Sequence, residues 1–290
     1  MILGQKTHRN IYLFSLFLLA IAIPTSVFLM SLSQFILYGN WIIEGGFKEK
    51  WLRLKSNKLV WIFVSIYFLH LLWLWPPQDY NYALNDLRVK LPMLLLPLFV
   101  ASSKPIEKKV IKFIFITFTI SVIFVSFITL YRWIFQDSLG IVDYRKVSPF
   151  ISHIRYSLMM VFSIFILYHF SQIEKDNNKK FRIIYLLAML YLILLIFILR
   201  VNTGIFVFLI LSFIVFTYIL IKSSSCIKWF LSLAIIIASV LFYNYSKKIW
   251  NSFIVGMKSV APDSLVYTPN GNIYSFINDS KEVENGNKVW

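Results

Sequence analysis

Long apolar runs, each closed by a short polar or basic stretch, recur along the whole chain. The runs are residues 11–43, 59–75, 91–101, 111–135, 150–170, 183–199, 205–221 and 229–245. A helix that crosses about 30 Å of hydrocarbon needs about 20 mainly apolar residues. Most of these runs match that length, and two do not. Residues 11–43 are too long for one span. They predict a helical hairpin turning at Pro24-Thr25-Ser26, because proline interrupts the helix ladder. Residues 91–101 cover only about half the hydrocarbon at 1.5 Å per residue, so their helix must begin near Tyr82. That start places Asp86, Arg88 and Lys90 in or at the edge of the membrane. The pattern predicts an all-α, polytopic transmembrane bundle of about nine spans over residues 1–245. Residues 246–290 are polar and rich in Asn, Ser and Gly.

Basic residues punctuate the runs. Lys6 and Arg9 come first, then Lys48, Lys50, Arg53, Lys55 and Lys58, then Lys104, Lys108, Lys109 and Lys112. Lys175, Lys179, Lys180 and Arg182 follow, then Lys222 and Lys228. Short loops rich in Lys and Arg favour the cytoplasm. Alternation of these clusters with the spans predicts a cytoplasmic N-terminus and an external C-terminus. Lys6 and Arg9 before an apolar run, with Ala20-Ile21-Ala22 beyond, have the form of a secretory signal. The run continues to Ile43, however, and reads better as an uncleaved first span.

Composition agrees with this class. Of 290 residues, 59% are hydrophobic and 14% charged, where a soluble domain has about 25% charged. The net charge of +16 would suggest nucleic acid in a soluble protein. Here the cations lie between spans, no nucleic-acid motif is present, and contact with anionic lipid headgroups explains them. The single cysteine, Cys226, rules out an internal disulfide. Neither metal-ligand spacing, a Gly-rich phosphate loop, a nucleophile triad nor a hydrolase-type carboxylate pair stands out, so no metal or cofactor is expected. Trp73, Trp75 and Trp133 fall near span ends, where aromatic belts form.

Four cations run against the positive-inside trend. Arg88, Lys90, Arg155 and Arg200 fall at the outer ends of spans. Ionisable groups at membrane depth tend to face a partner or a cavity. Guanidinium binds phosphate oxygens bidentately and keeps its charge, so such a set suits a membrane-embedded anion such as a lipid diphosphate. The alternative is that each side chain snorkels to the outer headgroups. Asp86 and Lys90 are spaced to pair as i, i+4, which would leave Arg88 pointing elsewhere. His153 precedes Arg155 by two residues, so the two diverge by about 200° on a helix. A capping or hydrogen-bonding role suits His153 better than that of a base. His70 and His169 lie within spans without an evident partner and read as structural. These residues are compatible with a handler of a polyprenyl phosphate, with a lipid-linked glycan flippase or transporter, and with a non-enzymatic membrane subunit.

Three strings carry a family resemblance: YALNDLRVKLPMLLLPLF at 82–99, SPFISHIRYSLMM at 148–160 and ILRVNTGIF at 198–206. They resemble stretches of the O-antigen ligase/polymerase family, in a form like that of its Bacteroidota members. The third departs from the common Ser-Arg-Thr-Gly, because Val201-Asn202 separates Arg200 from Thr203. The tail NDSKEVENGNKVW at 278–290 is similar to the start of that family's large periplasmic loop. The resemblance implies a fold like the GT-C glycosyltransferases, in the bacterial inner membrane. It implies transfer of a glycan from an undecaprenyl diphosphate-linked donor to a hydroxyl on another glycan, lipid A-core or a protein. Arg88, Arg155 and Arg200 would hold the donor diphosphate with help from Lys90, and His153 and Asp86 would be secondary. It also implies that the catalytic base lies beyond Trp290, that residues 246–290 open an incomplete loop, and that the chain alone is inactive.

Overall fold

The structure, a computed structural model, describes residues 4–73, 80–135, 147–174 and 178–222, with short isolated pieces nearer the C-terminus. Nine helices occur among these residues. They are α1 (Gln5–Thr25), α2 (Val27–Glu44), α3 (Phe47–Ser56), α4 (Lys58–Trp73), α5 (Tyr80–Ser102), α6 (Lys108–Ile134), α7 (His153–Ile173), α8 (Lys179–Ile198) and α9 (Asn202–Lys222). Chain contacts divide the protein into two units, Met1–Val207 and Phe208–Trp290.

The first unit opens with the expected hairpin. Pro24 closes α1, and the turn is a single extended residue, Ser26 at φ −160°. Its N–H donates to Ala22 O. Its hydroxyl accepts from Leu29 N–H at 3.3 Å and so caps α2. The two arms pack along their length. Near their open end, His8 Nδ1 lies 2.8 Å from Asn40 Oδ1, while Asn40 Nδ2 donates to His8 O.

Helix α3 was not expected. Gly45 and Gly46, at φ +68° and +67°, make a corner that side-chain-bearing residues resist. The basic stretch beyond it forms a short amphipathic helix. Leu54 of α3 packs with Val60 and Val64 of α4 and against Leu94 and Leu98 of α5. Helix α5 begins at Tyr80, two residues before its expected start, and continues through Pro92 and Pro97.

The other half of the unit is α6, α7 and α8. Small polar residues line their interfaces: Ser121, Ser126 and Thr129 of α6, and Ser157, Ser163 and Ser171 of α7, are all buried. Such residues let helices approach closely where lipid supplies no hydrophobic drive for association. Tyr156 Oη donates to Val122 O at 3.1 Å and joins α7 to α6, while Ser126 Oγ and Tyr191 Oη, 3.0 Å apart, join α6 to α8.

Large apolar side chains cover the outside. Phe28 and Phe35 are 74% exposed, and Leu187 is 62% exposed. A continuous apolar exterior fits lipid rather than water. Six helices, α1, α2, α6, α7, α8 and the Asn202–Ile219 part of α9, are long and apolar enough to cross a membrane. The chain is a multi-pass membrane protein. Nine spans had been expected. Helix α4 is short at 16 residues, and α5 carries Asp86, Arg88 and Lys90. Apart from Asn244, the ninth expected span, 229–245, lies outside the described residues, as does the expected boundary at 245.

The basic clusters that belong to the first unit gather at one of its ends. Arg9 donates to Lys104 O and Pro105 O, so the start of α1 meets the α5–α6 connection. Trp41 Nε1 donates to Ser102 Oγ, and Lys112 pairs with Glu174 at 2.7 Å. These contacts bring the C-terminal ends of α2, α5 and α7 to the N-terminal ends of α1 and α6. The described remainder of the second unit includes two small antiparallel ladders, Val266–Tyr267 with Ile273–Tyr274 and Val283–Glu284 with Asn287–Lys288. These two-residue strands are the only non-helical regular pieces among the described residues.

Candidate functional site

The four cations expected at the outer face all fall at the end of the first unit opposite its basic clusters. They belong to two separate helix groups. Arg88 and Lys90 stand near the start of α5, on the α4–α5 hairpin. Arg155 lies in the first turn of α7, and Arg200 lies between α8 and α9. Helix α5 packs on α4, α3 and α2, whereas α7 packs on α8 and α6.

On the α4–α5 hairpin, Lys90 Nζ lies 2.9 Å from Asp86 Oδ2, as their spacing predicted. A third member, His70, had been read as structural and without a partner. Its Nε2 is 2.5 Å from Asp86 Oδ2 and 2.8 Å from Lys90 Nζ. Nε2 either donates to Asp86 or accepts from Lys90; one nitrogen cannot do both in one tautomer. The three groups therefore form one hydrogen-bonded cluster across two helices. Lys90 is held in this cluster and keeps at least one N–H for an external anion. Arg88 turns away and is exposed. No spacing within one helix could have revealed His70, because its partners lie sixteen and twenty residues further on, in the next helix.

At the start of α7 and in the turn after α8, Arg155 and Arg200 are both exposed. Arg200 has φ +51°, the one positive φ among the described non-glycine residues. Left-handed backbone at such a residue costs energy and tends to persist where neighbours hold it. Here the neighbours are identifiable. Val201 and Leu199 on either side are buried. Two residues further on, Gly204 lies against α7 so closely that an added Cβ would sit 2.6 Å from Ser157 Cβ. Anchored on both flanks, the turn projects Arg200 outward at the same end as Arg155.

His153 and Arg155 diverge as expected. His153 is half-buried and faces a narrow pocket with Thr129, Trp133, Tyr156, Leu199 and Val201. It therefore packs beneath the surface that carries the arginines. Among known proteins the chain matches no family model, and no curated protein and no solved structure is detectably similar to it.

Proposed function

We propose that this chain forms the membrane part of a glycosyltransferase of the O-antigen ligase/polymerase type. It would move a glycan from an undecaprenyl diphosphate-linked donor to an acceptor hydroxyl, on another glycan or lipid A-core, at the outer face of the bacterial inner membrane. The observation that supports this reading is the placement of Arg155 and Arg200 at the same end of the first unit, at the start of α7 and in the turn after α8. Both are exposed there, and one is held in a left-handed turn. The positive-inside trend supports the orientation, with α4 and α5 also serving as spans.

The chemistry suits these residues. The acceptor oxygen attacks the anomeric carbon, and the bond from that carbon to the diphosphate oxygen breaks. The diphosphate leaves with the electron pair, and a base takes the acceptor proton. Charge grows on the leaving diphosphate, where preorganised guanidinium donors stabilise it most. Lys90, with Asp86 and His70 behind it, would contribute a weaker point charge. Arg88 would reach the donor from the α5 side.

Complementation with the full-length gene tests this. Arg155→Ala and Arg200→Ala should abolish surface glycan at matched expression, with lipid-linked donor building up in the outer leaflet. Build-up in the inner leaflet would identify a flippase. Unchanged surface glycan would assign the arginines to snorkelling and leave a non-enzymatic role.

A further inference from the structure

A second candidate site lies at the opposite end, where α3, α4 and α5 meet. A groove of about 330 Å³ opens there with an entirely apolar wall, formed by Trp51 of α3, Trp61 and Phe68 of α4, and Leu94 and Leu98 of α5. Trp51, Trp61 and Phe68 are 57%, 41% and 52% exposed, so the groove faces outward. The indoles of Trp51 and Trp61 meet edge-on at 6.3 Å and form its rim. From Trp61 to Phe68 the groove follows about 10 Å of α4 into the apolar zone.

The rim is cationic. Lys55 follows Trp51 by one turn of α3, and Lys58 precedes Trp61 by one turn of α4; both are exposed. The nearby carboxylates are engaged elsewhere, Glu44 with Lys50 at 2.8 Å and Glu49 with Arg53 at 3.3 Å. Lys50 is buried and fixed over Trp41 at 4.4 Å, which braces the corner without adding exposed charge. Lys55 and Lys58 make no ion pair among the described residues. A short amphipathic helix with cations beside tryptophans is the form that lies in a membrane interface.

We propose that this corner binds an anionic glycerophospholipid of the leaflet at the basic end. One acyl chain lies in the apolar groove, and the headgroup phosphate sits between Lys55 and Lys58. The site is at the other end of the bundle from Arg155 and Arg200 and stands independently of the glycan-transfer reading.

The test is native mass spectrometry of the full-length protein, equilibrated with equimolar phosphatidylglycerol and phosphatidylcholine. Wild type should retain phosphatidylglycerol over phosphatidylcholine by about tenfold or more, on the scale of about fivefold per cation near an anionic surface. Lys55→Gln/Lys58→Gln should bring the ratio close to one. Leu94→Trp, which fills the groove, should lose both lipids. The two lysines are exposed, so their variant decides the matter even where Leu94→Trp does not fold. Equal retention by wild type, an unchanged ratio in the lysine variant, or displacement of phosphatidylglycerol by a polyprenyl phosphate would each overturn the proposal.

Discussion

His70 and Lys90 lie on different helices, and their nitrogens approach to 2.8 Å. Asp86, within reach of both, is what makes that approach tolerable. Asp86→Asn would leave an ammonium beside an imidazole without a counter-charge. It should lower the melting temperature of the detergent-solubilised protein by more than Arg88→Ala, since Arg88 is exposed. The double variant Asp86→Asn/Lys90→Met should recover part of the loss, because removing both partners is milder than stranding one. Thermal melts of wild type, Asp86→Asn, Lys90→Met, their double variant and Arg88→Ala check this, and simple additivity would show that Asp86 and Lys90 do not act together.

Gly204 sits where a Cβ would lie 2.6 Å from Ser157 Cβ and 2.8 Å from its Oγ. Gly204→Ala should therefore force α7 and α9 apart and destabilise by about 1–3 kcal/mol, the usual range for overpacking. Ser157→Gly removes the opposing Cβ, so the double variant should melt above Gly204→Ala alone. A thermal shift assay on the two proteins is sufficient.

The α1–α2 hairpin shows why some of this fold was legible. Residues 11–43 were too long for one span, and Pro24 marked the break within two residues of Ser26. The Asp86–Lys90 pair was legible from spacing inside one helix. His70 was not, because its partners are sixteen and twenty residues away, across a connection. Helix α3 was hidden by its charge, although Phe47, Trp51 and Leu54 already trace a helical stripe. Pairings such as α1 with α6 had no signature. In lipid both the packed and the exposed faces of a helix are apolar, so the periodicity that marks a buried face in water is erased. The separation of Arg88 from Arg155 and Arg200 onto different helix groups depends on those pairings.

Ser26 is the whole of the turn between α1 and α2, and its hydroxyl accepts from Leu29 N–H. Ser26→Ala should cost about 1 kcal/mol, the typical worth of an N-cap. Ser26→Asp should retain most of the stability, because its carboxylate can accept the same bond. Melting temperatures in one detergent provide the comparison, and equal loss in both variants would assign the effect to packing rather than capping.

Arg200 combines an exposed charge with a left-handed backbone at φ +51°. Stability and activity should therefore separate at this position. Glycine adopts such a φ freely, whereas alanine bears a cost of about 1–2 kcal/mol there. Arg200→Gly should be at least as stable as Arg200→Ala once glycine's extra unfolded-state entropy of about 0.4–1 kcal/mol is subtracted. Both variants should fail equally in the glycan-transfer complementation, since each lacks the guanidinium. Transfer retained in the glycine variant alone would mean that the turn, and not the charge, is what this position contributes.

Sidedness can be tested without reference to activity. The contacts of Arg9 with Lys104 O and of Lys112 with Glu174 place one set of helix termini together. Ser152, at the start of α7, belongs to the opposite set. After Cys226→Ser removes the native thiol, Lys55→Cys and Ser152→Cys each carry one exposed cysteine. An impermeant maleimide added to intact spheroplasts should label the cysteine at 152 and not the one at 55. Inverted vesicles should reverse the pattern. Labelling of both from one side would overturn the arrangement of α3 and α7 at opposite faces. Labelling of only the cysteine at 55 in spheroplasts would keep that arrangement but invert it, placing Arg155 and Arg200 in the cytoplasm, away from any acceptor outside the cell.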